Sequence, residues 1–208
     1  MQGVRFQAVL FDLLTALLDS WALWSQVAGS EDAGLAWRKK YLELTYQAGR
    51  YRPYEQIVRE SAEAAGVGPS LSDELLGRWS ETSPWPETPQ VLKTIQSRVP
   101  VGVVTNCSDA LVDVAVACTG RNVDVVVTCE QAGWYKPRPE PYLLALEKIG
   151  HPAASVLYVA GSPCDIGGAA GVGMPVYWHN RLGLASPENG PRPSWIEASL
   201  EPLLEFVR

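Results

Sequence analysis

An α/β fold, with a parallel sheet between helices and a helical insert, is what this sequence predicts on three observations. Five short apolar, β-branched runs, Gln7 to Phe11, Val99 to Thr105, Val123 to Cys129, Val156 to Val159 and Pro175 to Trp178, read as strands buried on both faces. Helix-like segments such as Ser108 to Thr119 and Pro139 to Ile149 alternate with the later runs, as parallel strands joined by crossovers require. From about Ser20 to Ser83 no strand signal occurs. The expectation is a Rossmann-like parallel sheet core, residues 1–19 and 84–208, with a helical cap subdomain, residues 20–83, inserted after the first strand. A chain of 208 residues buries about 70% of its unfolded surface, enough for one core without staples.

The first run ends on Asp12, and the stretch FDLLTALLD places two leucines directly behind that carboxylate. Asp19 reads as a linker or helix N-terminal residue. Ser30 caps a helix whose first turn carries Glu31 and Asp32, matching the positive end of the helix dipole. Trp37, Tyr41, Leu44 and Ala48 recur at helical spacing, and with Tyr46, Tyr51 and Tyr54 they read as packing between insert and core. Pro53 suits the first turn of a second helix that runs through Ile57 and Ser61 to a stop at Gly66. The three prolines of SPWPETP, residues 83–89, read as a stiff linker back to the core.

Composition excludes several function classes. At 47% hydrophobic and 19% charged the chain is globular. Seventeen basic against twenty-three acidic residues give a net charge of -6, which repels nucleic acid and anionic lipid, so neither is expected as a partner. The first twenty residues lack the pattern of a secretory signal, and the apolar stretches are too short to span a bilayer, so a cytoplasmic location is expected. Cys107, Cys118, Cys129 and Cys164 form no CxxC pair and read as reduced, mostly buried thiols. With only His151 and His179, a Ser-His-Asp mechanism or a His-rich metal site has little to draw on, and His179 is at most a weak proton-shuttle candidate. Hydrolysis here needs carboxylates.

In open parallel sheets ligands sit beyond the carboxyl ends of the strands. Asp12 follows the first run, Thr105 and Asn106 the second, Lys136 of WYKPRPEPY the third after a short loop, and Ser162 and Asp165 of VAGSPCD the fourth. Alone, Asp12 reads as a turn or cap residue; with Lys136, Thr105 and Asp165 in order it reads as catalytic. Lys136 supplies the positive charge that keeps a nearby carboxylate ionised. Thr105 and Asn106 offer donors to an anion at a helix start. Asp165 also suits the N-cap of the helix after it. Arg38, in a run with Lys39 and Lys40, shares a helix face with Tyr41, Leu42 and Thr45, which suits a pocket mouth.

This ordered set resembles the haloacid dehalogenase superfamily, and AWRKKYLELTY, the YKP loop, GMPVYWHNRLG and Pro193-Ser194-Trp195 look like the L-2-haloacid dehalogenases over nearly the whole chain. The resemblance implies a hydrolase with Asp12 as nucleophile, a covalent aspartyl ester, Arg38 at the leaving halide or substrate carboxylate, no cofactor, and a homodimer. Phosphatases of the superfamily carry a second aspartate two residues past the nucleophile, a general acid worth about 10²- to 10⁴-fold. Leu14 stands there instead and donates no proton, which handicaps phosphate esters but spares halide, a leaving group that needs none. Leu14 and Thr15-Ala16 also replace the tyrosine and glycine-threonine pair of the dehalogenases, which predicts missing hydrogen bonds to the nucleophile. Ala160, Gly161 and Ser162 replace a polar run that positions water. Gly161 further replaces an aspartate that helps phosphatases hold magnesium, so Mg²⁺ would rest on Asp12, Asp165 and a backbone carbonyl and bind weakly. Two alternatives stand beside the dehalogenase: a magnesium-dependent phosphatase of the same superfamily, and a catalytically impaired small-molecule binding protein.

Overall fold

Side chains alternate across a strand, and in β1 (Ala8–Asp12) the alternation serves two cores. Val9 and Phe11 join one buried cluster, Ala8 and Leu10 another. The computed structural model describes residues 6–186 and 189–207. The outermost positions of the expected core segments, 1–5 and 208, lie outside them, as do 187–188.

In chain order the remaining strands are β2 (Leu18–Asp19), β3 (Ser83–Pro84), β4 (Val101–Thr105), β5 (Val125–Thr128), β6 (Val156–Ala160), β7 (Val176–His179) and β8 (Trp195–Glu197). The helices are α1 (Ser20–Ala28), α2 (Glu31–Ala48), α3 (Tyr54–Ala64), α4 (Pro69–Gly77), α5 (Thr88–Gln96), α6 (Asp109–Cys118), α7 (Cys129–Ala132), α8 (Pro139–Ile149) and α9 (Pro163–Gly171). Six strands form a parallel sheet in the order β5-β4-β1-β6-β7-β8. Residues of α5 and α6, with Leu200, Leu203 and Val207, cover the Val9 face; residues of α8 and α9 cover the Leu10 face. This double cover is why the strands read as unbroken apolar runs. β1 lies between β4 and β6, so the topological switch, and with it the ligand crevice, falls at its carboxyl end.

The segment between β1 and β4 begins with one π-helical turn, Leu13–Leu17, and continues through β2, α1–α4, β3 and α5. Its helices share an aromatic interior: the rings of Trp24 and Trp37 lie 4.7 Å apart, those of Tyr41 and Tyr54 5.6 Å. Trp37 Nε1 donates to Ser61 Oγ at 2.9 Å, joining α2 to α3. Trp37, Tyr41 and Tyr54 are therefore packing residues, whereas Tyr46 is 60% exposed. Ser30 and Asp19 cap α2 and α1, as their sequence positions suggest.

Two expectations need correction. The SPWPETP stretch is no plain linker: Ser83 and Pro84 pair antiparallel with Asp19 and Leu18, and Trp85 and Thr88 hydrogen-bond to the turn after β1. The sheet also gains a sixth strand, β8, whose three residues are too short and too exposed to carry an apolar signal. Among the described residues no helix is long and apolar enough to cross a membrane.

Candidate active site

Asp12 ends β1 in an extended conformation and caps the turn that follows. Its Oδ2 accepts from Thr15 N at 2.8 Å, Thr15 Oγ1 at 2.5 Å and Ala16 N at 3.2 Å. Its Oδ1 accepts from Lys136 Nζ at 2.7 Å. Lys136 reaches it from the loop after α7, and its ammonium also donates to Asp165 Oδ2 at 2.9 Å and Tyr158 Oη at 3.2 Å. Asp165 lies in the first turn of α9, beyond β6, and its Oδ1 accepts from Tyr142 Oη at 3.2 Å. Three strand ends thus bring two carboxylates onto one ammonium, all three residues being at least nine-tenths buried.

Burial works to raise the pKa of the Asp12 carboxyl, but the Lys136 charge and the Thr15 hydrogen bonds outweigh it and hold the group below its ordinary value. At Asp165 burial prevails over the same ammonium, with help from the Asp12 charge, and the carboxyl is pushed up. At Lys136 burial is outweighed by Asp12 and Asp165, and the ammonium is held well above its ordinary value. The set is a negative Asp12 and a positive Lys136, with Asp165 held less acidic than an ordinary carboxyl.

These groups open into a small cavity of about 40 Å³, lined also by Leu14, Thr15, Asn106, Ser162 and Cys164. A water needs roughly 10–15 Å³ on this measure, so the space suits a ligand of a few heavy atoms. The opposite wall comes from α2, through Arg38, Tyr41, Leu42, Thr45 and Tyr46. Arg38 is 3% exposed and lies 4.3 Å from the Trp21 ring centroid and 5.4 Å from that of Trp24. Its Nε is buried with no hydrogen-bond partner, and it forms no ion pair among the described residues. Burial lowers its pKa, against the nearby tyrosines and the charges of Asp12 and Asp19.

Asn106 Oδ1 accepts from Lys136 N at 3.0 Å and Cys129 Sγ at 2.9 Å, which fixes the amide and turns its N–H₂ end away from those donors. Ser162 caps α9 by accepting from Cys164 N at 3.3 Å, the role expected of Asp165. Leu14 lines the cavity beside Asp12.

Other expectations fail. Thr105 is fully buried, is not among the lining residues, and its hydroxyl engages Cys107. The start of α6 holds the protein's own carboxylates: Asp109 N donates to Glu130 and Ser108 Oγ to Glu55. Asp12 does not lack hydrogen bonds: Thr15 N and Oγ1 and Ala16 N supply them, the hydroxyl from one position earlier than in the dehalogenase pattern. Gly161 is there for space, since a Cβ would collide with the backbone of Thr15 and Ala16. His179 lies beneath the turn, with Nδ1 2.9 Å from Ala16 O, and is not among the lining residues, so it is no shuttle. Residues that sequence reasoning missed are Thr15, Tyr142 and Tyr158. Thr15 had a signal, a hydroxyl three residues after a capping aspartate; the two tyrosines looked like ordinary core.

A sequence model of the haloacid dehalogenase-like hydrolases matches residues 9–179. The chain belongs to this family. Among the dehalogenase-like relatives, a protein of Pseudomonas fluorescens named (S)-2-haloacid dehalogenase is 28% identical, over 98% of this chain and 97% of its own length. A pyrimidine 5'-nucleotidase of Escherichia coli is 30% identical, over 79% of this chain and 72% of its own. The solved L-2-haloacid dehalogenase of Xanthobacter autotrophicus superposes with a TM-score of 0.87 at 21% identity, covering 98% of this chain and 99% of its own, and so shares the dehalogenase-like fold.

Proposed function

We propose that this hydrolase displaces halide from a small 2-halo carboxylate through an ester on Asp12. The observation that carries the reading is the Lys136 contact to Asp12 at 2.7 Å in a cavity of about 40 Å³ with Leu14, not an acid, beside the nucleophile. Asp12 Oδ1, with one donor against three on Oδ2, is the freer oxygen and attacks the α-carbon; halide leaves with the bonding pair, and the centre inverts. Arg38, unpaired on the facing wall, receives the leaving halide or the substrate carboxylate. Asn106 and Ser162 offer further polar contacts. Water then attacks Asp12 Cγ, its proton passing to Asp165, whose raised pKa suits a base. Collapse releases the 2-hydroxy acid and regenerates Asp12 with one oxygen from water.

The nucleotidase relative keeps the magnesium-dependent phosphatase as the second reading. The residues fit a divalent ion poorly: Lys136 Nζ already bridges Asp12 and Asp165, the Leu14 carbonyl accepts from Ser20, and no group of three His, Cys, Asp or Glu converges among the described residues. The cavity is also too small for a nucleotide. An intact nucleophile-ammonium pair argues against a protein that only binds.

The test compares chloride release from 2-chloropropionate with phosphate release from an aryl phosphate, each with and without magnesium. Magnesium-independent chloride release is expected, with label on Asp12 after one turnover in ¹⁸O water. Magnesium-dependent phosphate release alone would replace this reading with the phosphatase. The homodimer belongs to the same proposal, and sedimentation tests it.

A further inference from the structure

The turn after β1 has an uncommon hydrogen-bond economy. Leu13 O accepts from Leu18 N, but the chain then departs into β2 and offers the following carbonyls no helical N–H. Side chains from elsewhere take its place. Leu14 O accepts from Ser20 Oγ at 2.5 Å, Thr15 O from Trp85 Nε1 at 3.1 Å, Ala16 O is 2.9 Å from His179 Nδ1, and Leu17 O accepts from Thr88 Oγ1 at 2.9 Å as well as from the backbone N of Trp85 at 3.1 Å. All four side chains are buried.

Two of these contacts differ in consequence from the others. The peptide whose carbonyl is Leu14 O carries Thr15 N–H, and the peptide whose carbonyl is Thr15 O carries Ala16 N–H. Those are the two backbone donors to Asp12 Oδ2. Ser20 and Trp85 therefore grip, from behind, the very peptides that face the nucleophile. A hydrogen bond on a peptide's oxygen fixes its plane and polarises its N–H. Thr88 and His179 hold peptides further along, which do not touch Asp12.

We infer that Ser20 and Trp85 are positioning residues that aim and polarise the Thr15 and Ala16 N–H groups and so set the rate at which the Asp12 ester is hydrolysed. This rests on the dehalogenase reading above. The two chemical steps treat Oδ2 oppositely. During attack on carbon, negative charge leaves the Asp12 carboxylate for the halide, so donors on Oδ2 stabilise the starting state. During hydrolysis, water forms a bond to Cγ, its proton goes to Asp165 and the electron pair of the Cγ=Oδ2 bond moves onto Oδ2. The same donors then act as an oxyanion hole until the pair returns and the Cγ–Oδ1 bond breaks, the 2-hydroxy acid taking the proton. Loosening the donors slows the second step and leaves the first unchanged or faster.

The experiment is rapid acid quench with intact-mass detection, using 2-chloropropionate and the full-length protein, on Ser20→Ala and Trp85→Phe separately so that one misfolded variant does not decide the result. Thr88→Val is the control, deleting a buried side-chain hydrogen bond to Leu17 O, whose peptide does not face Asp12 and which keeps its bond from Trp85 N. The expected result is ester formation at the wild-type rate or above, hydrolysis slowed about tenfold, and ester accumulating in the two variants but not in Thr88→Val. Ser20→Thr, which keeps the hydroxyl, restores hydrolysis. Equal slowing of both steps, or the same accumulation in Thr88→Val, would overturn the inference in favour of a purely structural role. No chloride released by any protein, wild type included, removes the dehalogenase reading and this inference with it; chloride released with no ester accumulating in Ser20→Ala or Trp85→Phe overturns the inference alone.

Discussion

The two walls of the cavity are built on opposite plans. On the sheet side each charged group is satisfied by the protein: Asp12 by Thr15, Ala16 and Lys136, and Asp165 by Lys136 and Tyr142. On the helical side Arg38 Nε and Tyr41 Oη, both on α2 and lining the cavity, are buried without partners. A buried polar group left unpaired costs stability, so the α2 wall carries a cost that an anionic ligand would offset. The sheet side is saturated with partners; the helical side keeps a buried cation and a buried hydroxyl without them.

Breaking the sheet side has the largest expected effect. Asp12→Asn removes the attacking oxyanion, and chloride release should fall about 10⁴-fold or more. Lys136→Met leaves two carboxylates facing each other in a buried site; urea unfolding should show a loss of about 3–5 kcal/mol together with loss of turnover. Wild-type stability in Lys136→Met would show that the pair is not as buried as its geometry implies.

The helical side should respond with opposite signs in function and stability. Arg38→Met removes an unpaired buried cation, so kcat/KM should drop about 10- to 100-fold while the urea midpoint stays level or rises. If both fall together, Arg38 is a structural residue and the contrast between the walls is lost.

Proton titration sharpens the contrast further. The pKa of Asp165 is raised; with Asp165 as the proposed base, turnover should decline on acidification at a pH above the ordinary aspartate value of 3.8. The folded-state pKa of Lys136 is raised, so its contribution to stability is whole below the ordinary lysine value of 10.5 and drains as pH rises through the folded value. On the basic side, stability curves of wild type and Lys136→Met should therefore converge only in strong alkali. The smallest effect belongs to Tyr41→Phe, which deletes a buried hydroxyl with no partner and should leave stability level or raise it by about 1 kcal/mol.

Much of the sheet-side set was legible because strand ends are legible. Asp12, Lys136 and Asp165 each follow an apolar run, and parallel topology carries such positions to one edge. Thr105 failed by the same rule, because following a strand says nothing about which way a side chain turns. His179 failed because its partner, the Ala16 carbonyl, is a backbone group 163 positions away. Leu14 and Gly161 looked like losses of function in the sequence. In the structure one lines the cavity and the other admits the turn.

Hydrophobic periodicity and strand-end chemistry determined by themselves that this chain forms a parallel α/β core with a helical insert and an acid-ammonium-acid set at one edge. Both are local patterns that topology merely collects. Tertiary structure alone decided which donors reach Asp12 Oδ2, that Arg38 goes unpaired, and that a proline-rich segment grips the turn after β1. Those facts depend on distances between residues tens of positions apart, where a shift of an ångström separates a hydrogen bond from none.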